Sequence, residues 1–141
     1  MSTDLRLVLT TEADQTKAEA LAEQLLTRRL AACVSLMPVQ SCYRWKGEIE
    51  RSQEVQLIIK TSSQRLEQLL ASLEASHSYD TPEILHMAAQ AGAAYGAWAL
   101  DALSPDAPSS APEERSGSEH QEQRPSQEHI ASYISHLAIW I

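Results

Sequence analysis

The sequence of 141 residues is poor in the residues that several classes of protein require. Its two cysteines, Cys33 and Cys42, lack a C-x-x-C spacing, which argues against a disulfide framework and a structural zinc site. Its four glycines form no G-x-x-x-x-G-K segment, so a phosphate-binding loop is not expected. Eleven basic residues against nineteen acidic ones give a formal net charge of −8. Nucleic acid is therefore not expected as a partner, because binding to phosphates depends on clustered lysine and arginine.

Long apolar runs and leader-like features are also missing from the sequence. No stretch approaches the roughly 18–20 apolar residues of a transmembrane helix. The beginning, MSTDLRLVLTT, has no basic region that leads into an apolar one. We therefore expect a cytoplasmic protein without a transmembrane segment. The length and the 43% hydrophobic content fit one globular domain with an additional segment.

The first thirty residues predict a strand followed by a helix. Leu5, Leu7 and Leu9 occur at alternate positions, which is typical of a strand with one buried face. Thr11 or Asp14 can cap the helix that follows. Its apolar residues recur at helical spacing, namely Ala18, Leu21, Ala22, Leu25 and Leu26.

The stretch from Leu30 to Thr61 predicts one long β-hairpin whose arms meet at Lys46-Gly47. Gly47 supplies the positive φ that a tight turn requires. Pro38 cannot donate a ladder hydrogen bond, so we expect a bulge or an edge position there. Typical strands have roughly 5–6 residues. Arms of this length are expected to extend beyond the sheet of one domain and to need a partner.

The remaining elements predict an α+β fold. Ser62 or Ser63 can cap a second helix, and the stretch from His77 to Pro82 forms its exit loop. Residues 83–89 are expected to form a fourth strand, and residues 95–103 a short helix. The order β-α-β-β-α-β is that of the ferredoxin-like sandwich. We place this domain in residues 1–103.

Three segments of the sequence resemble the signature segments of the CutA family of divalent-cation tolerance proteins, namely LAACVSLMPVQSCYRWKGEIE, QEVQLIIKT and HSYDTPEIL. They agree in order and spacing, including Tyr43-x-Trp45-x-Gly47 and Tyr79-x-x-Pro82-Glu83. The resemblance implies a ferredoxin-like protomer in a compact homotrimer, similar to PII-like signalling proteins. It also implies a role in tolerance of copper and other divalent metals.

The long hairpin independently favours an oligomer. An exposed strand edge promotes aggregation unless it is paired or covered. Closed head-to-tail pairing, in which each hairpin extends a neighbour's sheet, would satisfy the free backbone groups. The number three is implied only by the resemblance.

The predicted metal site lies in the loop after the second helix. The resemblance implies a set of copper ligands that consists of a cysteine at the end of the first strand and two adjacent histidines that open this loop. In this chain Thr10 and Ser76 stand at two of those positions, so His77 alone remains. We expect any Cu²⁺ or other divalent cation to need Glu83, Asp80 or symmetry-related chains as well. The alternative is that His77 makes a hydrogen bond that anchors the loop.

We expect the other potential metal ligands in the sequence to have structural roles. Cys33 and Cys42 are nine residues apart, an odd separation that places them on opposite faces of a strand unless Pro38 shifts the phase. Both are expected to be small buried residues. His86 lies in a predicted strand and is expected to be structural.

A second hypothesis is a PII-like trimeric small-molecule sensor or scaffold that binds no metal. Aromatic and cationic side chains could line a cleft between subunits, or could instead pack in the trimer interface. These candidates are Tyr43, Trp45, Lys46, Lys60, Tyr79 and Trp98. We expect Tyr43 and Trp45, on the same face of the strand, to lie beside Lys46 and Lys60. An organic cofactor is not expected.

An enzyme is the least favoured hypothesis. Glu83 near His77 and Tyr79 is the only grouping in the sequence that resembles an acid–base site. Because Glu83 can equally anchor the loop through hydrogen bonds, we predict that the protein is not an enzyme.

The last 38 residues divide into two further predicted segments. Residues 104–129 hold four of the six prolines and many serines and carboxylates, a composition typical of a disordered linker. Residues 130–141 are apolar at helical spacing, with Ile130, Tyr133, Ile134, Leu137 and Ile141. Such a segment is too short to span a bilayer. It is expected to dock on its own trimer, on an unknown partner or on a membrane surface, or to have no role.

Overall fold

The computed structural model describes residues 3–105. Within these residues the elements in chain order are β1 (Thr3–Glu12), α1 (Gln15–Thr27), β2 (Cys33–Trp45), β3 (Glu48–Thr61), α2 (Leu66–Ser76), β4 (Leu85–Ala91) and α3 (Ala93–Ala102). The predicted α+β class is confirmed. The predictions for the linker beyond residue 105 and for the apolar segment 130–141 lie outside the described residues. No helix between residues 3 and 105 is long and apolar enough to cross a membrane.

The strands of residues 3–105 form one antiparallel sheet in the order β2-β3-β1-β4. The central strands β1 and β3 pair from Arg6↔Thr61 to Glu12↔Val55. The two outer strands, β2 and β4, therefore have one unpaired edge each within the described chain. The sequence placed the start of β4 at residue 83, two residues before its observed start at Leu85.

The hairpin of β2 and β3 has an uninterrupted register from Cys33↔Lys60 to Trp45↔Glu48. Lys46 and Gly47 have φ values of 50° and 81°, as a two-residue type I′ turn requires. The predicted bulge at Pro38 is therefore wrong, whereas the alternative of an edge position is correct. In an antiparallel hairpin, hydrogen-bonded and non-hydrogen-bonded pairs alternate from the turn onwards. Pro38 lies at a non-hydrogen-bonded pair, so β3 does not need the N–H group that proline lacks.

The distal part of the hairpin extends past the rest of the sheet. Beyond the pair Glu12↔Val55, residues 48–54 of β3 pair only with residues 39–45 of β2. At about 3.3 Å per residue, this overhang of residues 39–54 is about 23 Å long. Neither of its edges is paired with another strand of residues 3–105.

Helices α1 and α2 cover one face of the sheet and form the main core with it. Asp14 caps α1, and its Oδ1 accepts a 2.8 Å hydrogen bond from the Lys17 amide. At the start of α2, Ser62 Oγ accepts from the Arg65 amide at 3.2 Å. The fully buried side chains of this core include Val8, Leu25, Leu57, Ile59, Leu69 and Leu73.

Helix α3 packs on the opposite face of the sheet and covers only part of it. Ala99 and Leu103 contact Leu5 and Ala32 in a second, smaller apolar cluster. On the uncovered part of this face, Leu85 and Met87 of β4 are 52% and 46% exposed. An apolar strip of the sheet is thus left uncovered by the described part of the chain.

Candidate functional site

The loop between α2 and β4 is held by the imidazole of His77. The side chain of His77 is 0% exposed. Its Nδ1 accepts a 3.0 Å hydrogen bond from the Tyr79 amide. Its Nε2 lies 3.1 Å from the Thr10 hydroxyl oxygen. Because Nδ1 is an acceptor, we assign the proton of a neutral ring to Nε2, which donates to Thr10.

A buried carboxylate, Glu12, holds the next residue of the loop. Glu12 is 2% exposed at the end of β1. Its Oε2 accepts a 3.3 Å bond from the Ser78 amide, and its Oε1 accepts from the Ser78 hydroxyl. The same Oε2 is 3.9 Å from His77 Nδ1. Sequence analysis missed Glu12, although it has the same strand parity as the buried Val8 and Thr10.

Tyr79 joins the loop to the long hairpin. Its hydroxyl donates a 2.9 Å hydrogen bond to Glu54 Oε2. Its ring lies 5.1 Å from the His77 ring, centroid to centroid. Burial, followed by the hydrogen bond and negative charge of Glu54, raises the pKa of Tyr79 far above its ordinary value. The phenol therefore remains a donor through neutral pH.

The predicted metal ligands are not assembled into one site within the protomer. Asp80 and Glu83 are exposed, whereas His77 is buried with both ring nitrogens engaged. Among residues 3–105 there is no group of three or more histidine, cysteine, aspartate or glutamate side chains that could hold an ion. A cation could reach His77 only by replacing one of its present hydrogen bonds. The described residues of one protomer therefore do not provide a complete copper site.

The two cysteines lie on opposite faces of β2, as their odd separation predicts. Cys33 is partly buried, and its Sγ accepts a 3.8 Å contact from Lys60 Nζ, which also bonds Ser35. Cys42 is exposed, so the prediction of a buried residue is wrong for Cys42 in the protomer. The reason is that Cys42 lies in the overhang, which the described part of the protomer leaves uncovered.

The predicted cluster of aromatic and cationic residues is divided between the two ends of the hairpin. Tyr43 and Trp45 are 43% and 52% exposed near the turn, with Lys46 Nζ 6.0 Å from the Trp45 ring centroid. Lys60 pairs with Cys33 at the other end of the hairpin, so the prediction that Lys60 lies beside Tyr43 and Trp45 is wrong within one protomer.

Trp98 lies on the exposed side of α3, away from this pair. Its ring is 5.6 Å from that of Tyr95 and its side chain is 49% exposed. His86 is exposed on β4.

Comparison with known proteins places this geometry in a family. The model of the family described as CutA1 divalent ion tolerance protein matches residues 6–102. The divalent-cation tolerance protein CutA of Pectobacterium atrosepticum is 42% identical over 90 residues, which is 63% of this chain and 82% of the relative. That of Citrobacter koseri is 42% identical over 80 residues, covering 56% of this chain and 70% of the relative.

Solved structures agree with this match. The structure of CutA from Synechococcus elongatus has a TM-score of 0.72 and 42% identity, and the match covers 74% of this chain and 95% of that chain. A periplasmic divalent cation tolerance protein CutA from Archaeoglobus fulgidus has a TM-score of 0.69 and 31% identity, covering 71% of this chain and 99% of that chain. The chain therefore belongs to the CutA1 divalent ion tolerance protein family.

Proposed function

We propose that this protein acts in divalent-cation tolerance as a homotrimeric binding protein of the cytoplasm and not as an enzyme. The observation that carries the proposal is the combination of an overhanging hairpin with an open apolar sheet face. Each feature is unfavourable in an isolated protomer. Each becomes favourable when neighbouring copies cover it.

The overhang supports assembly through its backbone. Residues 39–54 extend about 23 Å past the sheet, at about 3.3 Å per residue, and expose unpaired N–H and C=O groups along both edges. A neighbour that offers its own free edge, such as that of β4, can pair with them. Because the hairpin and β4 are different surfaces, this contact is head-to-tail, and we propose that the rotation between copies closes it into a ring rather than an open filament. The family resemblance implies that the ring has three members.

The sheet face supports assembly through apolar burial. The register places Ile58, Leu9 and Leu85 side by side across three strands, with Met87 next to Leu85 on the same face. Burying a leucine or methionine side chain stabilises an assembly by about 1.5–3 kcal/mol. Partial exposure of several such residues is typical of a surface that another chain covers.

Cation binding is proposed at the loops of the assembled trimer. Asp80 and Glu83 present exposed carboxylates in every copy, and carboxylate oxygens are suitable ligands for divalent cations. Copper prefers imidazole or thiolate donors, and His77 already uses both of its nitrogens within the chain. Residues 3–105 hold no complete ligand set, so we assign the remaining ligands, for Cu²⁺ or for another divalent ion, to neighbouring copies.

The geometry around His77 does not favour catalysis, in agreement with the proposal of a binding protein. Thr10, His77 and Glu12 lie in the order of a hydroxyl–imidazole–carboxylate triad. However, Thr10 is 0% exposed, so its hydroxyl cannot meet a substrate. His77 Nδ1 also accepts from a backbone amide rather than donating to Glu12. This network is suited to holding the loop in place.

A small-molecule sensor is the second proposed function. It is favoured by the exposed rings of Tyr43 and Trp45 near Lys46, which could stack on an aromatic ligand and contact an anionic group. Packing of these rings against a neighbour is the competing explanation. In the trimer, both explanations place them at contacts between subunits.

Thermal melting of the full chain with and without cations tests the first proposal. A cation that binds the native state should raise the melting temperature progressively with the logarithm of its concentration above the Kd, by about 2.7 kcal/mol of stability at 100 times the Kd. We would titrate Cu²⁺, Zn²⁺ and Mn²⁺ separately. Asp80→Asn with Glu83→Gln should abolish the rise, whereas Asp101→Asn, an exposed carboxylate on α3, should leave it unchanged. A flat response to all three ions would contradict cation binding and favour the sensor.

A further inference from the structure

Among residues 3–105, the long hairpin is hydrogen-bonded to the α2–β4 loop at one place, the base of the overhang. The last pair between β1 and β3 is Glu12↔Val55, so Glu54 is the first residue beyond the sheet. Its carboxylate accepts the 2.9 Å bond from the Tyr79 hydroxyl. Tyr79 thus holds the hairpin at the point where it leaves the sheet.

Tyr79 is itself fixed by the core of the protein. Its amide donates to His77 Nδ1 at 3.0 Å, and His77 Nε2 contacts the fully buried Thr10 at 3.1 Å. A continuous set of hydrogen bonds therefore runs from Thr10, near the end of β1, through the loop to the base of the overhang. Burial and Glu54 raise the pKa of Tyr79, which keeps its donor proton in place.

The base of the hairpin also borders an open groove of about 500 Å³ beside the start of α1. Its lining includes Asp14 and Gln15 on one side and Pro38, Glu54 and Val55 on the other. Because no side chain in the described part of the chain fills this groove, packing with α1 does not fix the direction of the overhang.

We propose that His77, Tyr79 and Glu54 form a clasp that sets the direction of the overhang and couples it to the α2–β4 loop. A change in the loop then alters how the hairpin reaches a neighbouring copy. The consequence for assembly rests on the proposed trimer, whereas the clasp itself is a property of the protomer. In this chain His77 acts as a positioning residue, with the hydroxyl of Thr10 as its partner.

Hydrogen exchange of the full chain, followed by mass spectrometry, tests the clasp. Tyr79→Phe keeps the ring but removes the bond to Glu54, so amides of residues 52–58 should exchange about three to ten times faster. Tyr43→Phe is the matched control. It removes a 2.9 Å hydroxyl bond to Ser52 that lies within the hairpin and does not reach the loop. It should leave exchange at residues 55–58 unchanged.

A double variant tests whether His77 acts through Tyr79. His77→Gln alone should speed exchange at the hairpin base, and combining it with Tyr79→Phe should add little more, because both changes break the same connection. Additive effects would overturn the clasp. So would an unchanged rate in a folded Tyr79→Phe variant, which remains informative if His77→Gln fails to fold.

Sedimentation of the same variants separates the clasp from the trimer. If the protein assembles, Tyr79→Phe should shift dissociation to a severalfold higher protein concentration than Tyr43→Phe does. Equal shifts would contradict the coupling to assembly. If the unmodified chain never assembles, the proposed trimer is wrong, and hydrogen exchange alone decides the clasp.

Discussion

Gly96 lies where α3 contacts β1, and replacing it by alanine should loosen that contact. A Cβ at this position would lie 2.3 Å from Thr3 Cβ and 2.5 Å from Thr3 Oγ1. Side-chain carbons do not approach this closely. Because Thr3 Cβ is attached directly to the backbone, rotation of the side chain cannot relieve the clash. Helix α3 has to move away from the strand.

The size of the effect follows from two opposing contributions. Moving α3 disturbs the cluster of Ala99 and Leu103 against Leu5, which are 0%, 3% and 2% exposed. Overpacking of this kind costs about 1–3 kcal/mol, and the short distance places Gly96 near the upper end. Alanine gains about 1 kcal/mol over glycine in helix propensity. We therefore expect Gly96→Ala to lower the free energy of unfolding by about 1–2 kcal/mol.

Urea unfolding at a fixed protein concentration measures the decrease in the free energy of unfolding that Gly96→Ala causes. Gly92→Ala is the matched control, because its φ is −57° and an added Cβ meets nothing within 4 Å. It should change stability by less than about 0.5 kcal/mol. Thr3→Gly should remove most of the penalty of Gly96→Ala. Wild-type stability in Gly96→Ala, or an undiminished loss in the Thr3→Gly background, would refute the reasoning.

Three further predictions concern the turn, the open sheet face and the half-exposed phenol of Tyr95. Lys46→Asn should stabilise the protein by up to about 1 kcal/mol in urea unfolding, because asparagine tolerates the φ of 50° better than lysine does. Leu85→Asp should raise the concentration at which the proposed trimer dissociates in sedimentation experiments, whereas His86→Asp, on the other face of β4, should have a smaller effect. Burial and Cys33 raise the pKa of Tyr95 from 10.0 to about 12, so the folded chain keeps a proton that the unfolded chain loses. Stability should therefore fall between about pH 10 and pH 12, and a Tyr95→Phe variant with an undiminished fall would contradict this assignment.

Local patterns account for much of the fold. The period-2 alternation of β1, the Asp14 cap of α1 and the Lys46-Gly47 turn are each encoded by a few neighbouring residues. These features correctly predicted the strand, the helix and the hairpin. The prediction of a bulge at Pro38 was wrong because an edge strand tolerates proline where no hydrogen bond is needed.

The candidate site was only partly predictable. The sequence drew attention to His77 and its loop, but their partners Glu12 and Glu54 are distant along the chain. The bond from Ser78 to Glu12 spans 66 residues, and that from Tyr79 to Glu54 spans 25. No local spacing indicates which carboxylate a loop will fold over. The separation of Lys60 from Trp45, by contrast, follows from the predicted Lys46-Gly47 turn, because the register that this turn sets pairs Lys60 with Cys33 at the other end of the hairpin.

The central claim is that neighbouring copies complete the hairpin and cover the open face of the sheet. Sedimentation equilibrium of the full chain at micromolar concentration tests it most directly. The account predicts a folded species of about 47 kDa, three times the 15.6 kDa of one chain. A folded species of 15.6 kDa at these concentrations would contradict it.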